Sequence, residues 1–173
     1  MAIVTTELDL KLPDAAATEI LGGVLAYTFP GAADNHASLY LEGDLGAGKT
    51  TCVRSMLRSF GVSGLIRSPT YTLIETYPLA NLTCVHIDLY RLKGSMEADE
   101  LGLRDFFSAG FLVIVEWPER AGEALPAPDL AAALTYQGSG RRCLFSAHTT
   151  RGDTWARNLG SDTRLIPYLS NLA

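Results

Sequence analysis

The chain comprises 173 residues, 47% hydrophobic and 19% charged, with 14 basic and 19 acidic side chains that set a formal charge of −5. Length and apolar content predict one compact domain, residues 1–173, whose core needs neither metal nor disulfide staples. The acidic balance excludes a broad electrostatic grip on nucleic acid, so any role with RNA is expected to be indirect.

In chain order, "TTELDLKL" alternates polar and apolar residues as a half-buried strand does, and Pro13 and Asp14 punctuate it before a helix. Ala17, Ile20, Leu21, Val24 and Leu25 recur at helical spacing, predicting an amphipathic helix from Asp14 to Phe29 that ends at Pro30 and Gly31. "ASLYLEG" is a short apolar strand leading into a glycine-rich turn. Val53, Met56, Leu57 and Phe60 then share one face of a second helix, which stops at Gly61.

"TYTLIETYPL" and "LTCVHIDLYRL" predict two strands in a tight hairpin, rich in β-branched and aromatic residues. "SMEADELGL" reads as a short capped helix and "FLVIVEW" as a central strand buried on both faces. "AAALTYQ" and "RRCLFSAHTT" make a late hairpin around "GSGRR", and "TRLIPYLSNL" reads as a short helix that Pro167 interrupts.

"MAIVTTELDLKLPD" places acids before any cluster of bases, and "ILGGVLAYTF" is too short and glycine-broken to span a bilayer, so neither secretion nor a membrane is expected. Cys52, Cys84 and Cys143 are far apart and form no C-x-x-C pair, which suits small buried thiols in a reducing cytoplasm.

"LEGDLGAGKTT" carries the chemistry. Gly43, Gly48, Lys49 and Thr50 satisfy G-x-x-x-x-G-K-[ST] between a predicted strand and a predicted helix, the context that defines a P-loop. Backbone N–H groups of Gly43, Asp44, Leu45, Gly46, Ala47 and Gly48 are expected to curl around phosphate oxygens, aided by the positive end of the following helix. Lys49 supplies a point charge, Thr50 a hydroxyl for Mg²⁺, and Thr51 a second hydroxyl for an inner phosphate. The fold expected is α/β, a three-layer P-loop NTPase fold whose mixed central sheet includes antiparallel hairpins. The loop alone does not separate an ATPase, a kinase and a regulatory binding module.

Glu116 ends the "FLVIVEW" strand, where a P-loop protein places the carboxylate that completes the Mg²⁺ shell. Asp88 ends another predicted strand and is placed to orient water or a Mg²⁺ ligand. His86, two residues earlier on the same strand face, is either a partner of Asp88 or a core histidine. Arg91 is a phosphate partner or a surface ion pair. "RSPTYT" is a polar loop positioned as a nucleotide switch, with Ser68 and Thr70 as hydroxyl donors, or else a plain turn.

Taken in order, "GDLGAGKTT", "SPTYTL", "HIDLYRL", "ELGLRD" and "VEWPER" resemble the TsaE family, the ATPase component of tRNA threonylcarbamoyladenosine biosynthesis, over nearly the whole chain. The resemblance implies a small P-loop ATPase using ATP and Mg²⁺. It would work with the TsaB–TsaD heterodimer, chiefly through TsaD, and meet tRNA only through that complex, which modifies adenosine 37 of tRNAs reading ANN codons. It would license or reset the transferase rather than carry out the transfer.

Carried over by position, Lys49, Asp88 and Glu116 are the implied catalytic residues, and Thr50 and Glu116 the implied Mg²⁺ ligands. Trp117 is implied at the nucleotide or partner surface. The adenine is implied between "LPD" and "GRR", which makes Pro13 and Arg141 its candidate contacts. Cys52 and Tyr71 depart from the bulkier residue and the phenylalanine frequent at those places, without touching the chemistry. Two other classes stay open beside this one. A small P-loop kinase would need an acceptor pocket and a mobile Arg-rich lid, which 173 residues do not display. A non-catalytic scaffold would use ATP only to order a partner-binding face. The absence of an N-K-x-D guanine reader leans towards adenine.

Overall fold

The computed structural model describes residues 6–31 and 34–170. The elements run β1 (Glu7–Leu12), α1 (Ala15–Tyr27), β2 (Ala37–Gly43), α2 (Lys49–Ser59), β3 (Ile74–Pro78), β4 (Thr83–Asp88), α3 (Ser95–Glu100), β5 (Phe111–Glu116), β6 (Leu130–Gln137), β7 (Gly140–Ala147) and α4 (Thr150–Ser161). Seven strands form one mixed sheet in the order β1-β7-β6-β2-β5-β4-β3. The inner strands β6, β2, β5 and β4 are parallel; β3 joins β4 antiparallel on one side, and on the other β7 joins β6 antiparallel and β1 joins β7 antiparallel, which returns β1 to the direction of the inner strands. This is the α/β architecture with flanking hairpins that the sequence predicts.

The continuous apolar runs are explained by burial on both faces. Along β5, Leu112 and Ile114 face a core shared with α1, α2 and α4, whereas Val113 and Val115 face a second core closed by Leu89, Leu103 and Ala124. Alternate side chains thus enter opposite layers, as the period of a strand requires. α1 opens with Asp14, whose carboxylate accepts the Ala17 N–H at 2.8 Å and satisfies one of the otherwise orphaned donors of the first turn. α2 closes where expected, with Gly61 at φ 90°.

Two expectations need correction, and one element went unread. The strand predicted from Thr70 begins only at Ile74, because Leu73 adopts φ 65° and donates its N–H to Pro69 O, turning residues 70–73 back over the sheet edge. The late helix over "TRLIPYLSNL" is only a 3₁₀ turn, Ile166–Tyr168, after which Leu169 bridges Leu10 of β1; residues 171 and 172 of that reading, like Thr5 of the first strand, lie outside the described residues. Proline cannot donate to a helical ladder, and Pro167 sits within that turn. α4 was not predicted at all. Among the described residues, no helix is long and apolar enough to cross a membrane.

Candidate functional site

Strand register builds the site. Leu41 pairs with Glu116, and Glu116 pairs with Asp88, so β2, β5 and β4 end in one row. Their C-terminal ends open on a cleft of about 330 Å³ lined by Gly48, Lys49, Thr50, Asp88, Glu116 and Trp117 among others. In open parallel sheets this is where ligands settle.

The P-loop leaves β2 at Gly43 and enters α2 at Lys49, with Gly48 as N-cap at φ 111°, a left-handed conformation that a side chain would strain. Gly43 is required by its neighbour: a Cβ there would stand 2.0 Å from the Leu134 carbonyl of β6, so the missing side chain clears the adjacent strand. Ala47 points into the core, and its N–H closes a turn on Asp44 O at 3.1 Å. Leu45, Gly46, Gly48, Lys49, Thr50 and Thr51 line the cleft.

Lys49 is 4% exposed and donates to the loop's own carbonyls, Gly43 O at 2.5 Å and Asp44 O at 2.8 Å. Its ammonium also lies 3.9 Å from the Trp117 ring centroid. Burial pulls its pKa below the ordinary lysine value, against the carboxylates of Glu116, Glu119, Asp88 and Asp44, which favour the charged form. Trp117 is held for this contact by an unusual backbone, φ 60° and ψ 46°, immediately after the strand.

The Thr50 hydroxyl donates to both Glu116 oxygens, at 2.9 and 3.1 Å. Glu116 also accepts from His86 Nε2 at 2.8 Å. His86 therefore serves Glu116 and not Asp88, because it reaches across to the neighbouring strand. Asp88 is occupied by the loop: Ser68 Oγ and Thr70 Oγ1 (2.9 Å) donate to Oδ2, and the Tyr90 N–H donates to Oδ1 at 3.0 Å. The turn at Leu73 is what brings "SPT" to this carboxylate. Arg91 stacks on the Tyr71 ring at 4.0 Å.

Pro13 and Arg141 come together, but in a neighbouring cleft of about 390 Å³ between the end of β1, the β6–β7 turn and Tyr168. Arg141 also reaches the P-loop, donating from Nε to Ala47 O at 3.2 Å. Two site residues were missed in the sequence: Tyr90, whose position two after Asp88 is that of an Asx turn, and Tyr136, whose hydroxyl donates to Leu45 O at 3.0 Å.

A sequence profile described as threonylcarbamoyl adenosine biosynthesis protein TsaE matches residues 12–144. The tRNA threonylcarbamoyladenosine biosynthesis protein TsaE of Haemophilus influenzae is 41% identical over 114 residues, 66% of this chain and 72% of that protein. The protein of the same name from Bacillus subtilis is 36% identical over 104 residues, 60% of this chain and 65% of that protein. The crystal structure of B. subtilis YdiB superposes with a TM-score of 0.75 at 26% identity, covering 92% of this chain and 97% of that one. With over half its length matched by the profile, the chain belongs to the TsaE family of tRNA threonylcarbamoyladenosine biosynthesis proteins.

Proposed function

We propose that this chain is a Mg²⁺-dependent ATP hydrolase that licenses or resets a TsaB–TsaD complex during threonylcarbamoyladenosine formation at position 37 of tRNAs reading ANN codons. The observation that carries the reading is the Thr50–Glu116 contact at the mouth of the P-loop. Its two oxygens stand 2.9 Å apart, the separation of neighbouring ligands around an octahedral ion with metal–oxygen distances of about 2.0–2.1 Å. No group of three or more His, Cys, Asp or Glu among the described residues is placed to hold a metal. A single protein carboxylate with a hydroxyl suits Mg²⁺ that is otherwise bound by water and nucleotide phosphates.

When bound, Mg²⁺ would neutralise charge on the β- and γ-phosphates. The remaining chemistry belongs to this chain. Lys49 exchanges the Gly43 and Asp44 carbonyls for phosphate oxygens, and the backbone at Gly46 and Gly48 offers N–H donors. Asp88, with Ser68 and Thr70 held on it, positions the attacking water. Pro13 and Arg141 border the cleft available to the base. Domain unity over residues 1–173 and contact chiefly with TsaD belong to the same reading, as does a cytoplasmic setting.

The test is an ATP turnover assay on the purified chain, alone and with TsaB, TsaD and tRNA, for wild type and Thr50→Ala. We expect slow turnover alone, stimulation by the complex, and loss of both turnover and tRNA modification in Thr50→Ala. Modification at full rate by Thr50→Ala, without ATP consumption, would favour the non-catalytic scaffold instead.

A further inference from the structure

The β6–β7 hairpin carries a cross-strand pair that the phosphate chemistry leaves unused. Tyr136 and Arg141 are register partners, and the guanidinium lies 5.6 Å from the phenol ring centroid. Both reach the same stretch of backbone: Tyr136 Oη donates to Leu45 O at 3.0 Å, and Arg141 donates to Ala47 O from Nε at 3.2 Å and to Gly46 O from Nη2 at a longer 3.5 Å. A planar trans peptide points its carbonyl and the next residue's N–H in opposite directions. Fixing Leu45 O and Ala47 O towards the hairpin therefore turns the N–H groups of Gly46 and Gly48 away from it. Gly46 and Gly48 are lining residues of the phosphate cleft, whereas the N–H of Ala47, between them, is spent on Asp44 O.

We propose that Tyr136 and Arg141 are positioning residues for the phosphate loop, a two-pronged clamp that aims the Gly46 and Gly48 N–H groups at phosphate oxygens before ligand arrives. Arg141 acts here on loop carbonyls, whatever it does at the base. The clamp removes part of the entropy that a free glycine loop would lose on binding. The proposal rests on the nucleotide reading of the P-loop.

It is tested on the full chain by displacing a fluorescent ATP analogue with ATP and, separately, with inorganic tripolyphosphate, both with excess Mg²⁺. Lys49→Ala should lose both ligands; wild type that binds neither overturns the nucleotide reading and the clamp with it. Tyr136→Phe, which removes one hydroxyl, and Arg141→Gln should each weaken both ligands by the same factor, about three- to tenfold. Their melting midpoints should stay within about 2 °C of wild type. Arg141→Lys, which keeps the charge and a donor, should recover part of the loss. Unchanged tripolyphosphate affinity in Tyr136→Phe and Arg141→Gln overturns the clamp while leaving the nucleotide reading intact. So does weakening of ATP alone in Arg141→Gln, which would put that residue on the nucleoside. Loss of affinity that only tracks a collapsed melting midpoint in both variants would make the pair a structural brace and overturn the proposal.

Discussion

His86 Nε2 lies 2.8 Å from Glu116 Oε1 across adjacent strands, and neither side chain is more than 2% exposed. A carboxylate only accepts, so the imidazole carries its hydrogen on Nε2 and leaves Nδ1 without a partner among the described residues. The pair aims Glu116 at Thr50. His86→Leu removes one of the two side-chain donors to a buried carboxylate and should lower stability by about 1–3 kcal/mol in urea denaturation. His86→Gln, which offers an amide donor of similar reach, should lose less. A leucine variant at least as stable as wild type would show that the contact does not hold Glu116 in place.

α1 is pressed against the P-loop helix through a glycine. A Cβ at Gly22 would stand 2.2 Å from the Cys52 carbonyl and 2.8 Å from Ser55 Cβ, contacts that only a shift of the helices relieves. At Gly23, one residue along, it would meet only the Ser59 hydroxyl, at 3.3 Å. Gly22→Ala should therefore destabilise by about 1–3 kcal/mol. Gly23→Ala should be neutral or stabilise by up to about 1 kcal/mol, since helical alanine replaces glycine. Thermal unfolding of the two variants side by side checks the contrast, and equal effects would refute the packing account.

The three thiols are buried, and burial raises each pKa, that of Cys52 to about 12 with Glu116 adding to the effect. Raised values keep the thiols neutral, and hence unreactive, through any window below them. At about pH 8 the native chain should resist a thiol-specific disulfide reagent, while the chain in strong denaturant should release one equivalent for each of Cys52, Cys84 and Cys143. Rapid labelling of native Cys52 would place α2 in exchange with an open state.

The site was legible where local sequence dictates local geometry. Gly43 to Thr50 needed only a strand before and a helix after. Glu116 and Asp88 could be placed at one cleft because each terminates an apolar strand and parallel strands end together. What could not be read depends on distant backbone. Tyr136 looks like any exposed aromatic on a hairpin, since its partner carbonyl at Leu45 is 91 residues away. α4 hides its apolar face in "TRGDTWARNLGS": Trp155, Ala156 and Leu159 are buried, but the fourth contact is Gly152, where a Cβ would fall 1.7 Å from Asp129 O. A glycine that packs by lacking a side chain reads as a helix breaker. The N-cap at Thr149, which accepts the Gly152 N–H at 3.1 Å, was the available signal.

Asp88 carries the last prediction, because its bonding separates two ways of using a carboxylate. Oδ2 takes the Ser68 and Thr70 hydroxyls and Oδ1 the Tyr90 N–H, so in this arrangement it anchors the loop that borders the cleft. Under the proposed hydrolysis, Asp88→Asn keeps the side chain's size but turns an NH₂ towards donors, and single-turnover ATP cleavage should fall about a hundredfold. Ser68→Ala with Thr70→Val leaves the carboxylate but cuts the loop free, and should cost about tenfold if the acid itself orients water. Equal losses in the two variants would instead make Asp88 an anchor whose effect passes entirely through the loop, and would move the water-positioning role to Ser68 and Thr70.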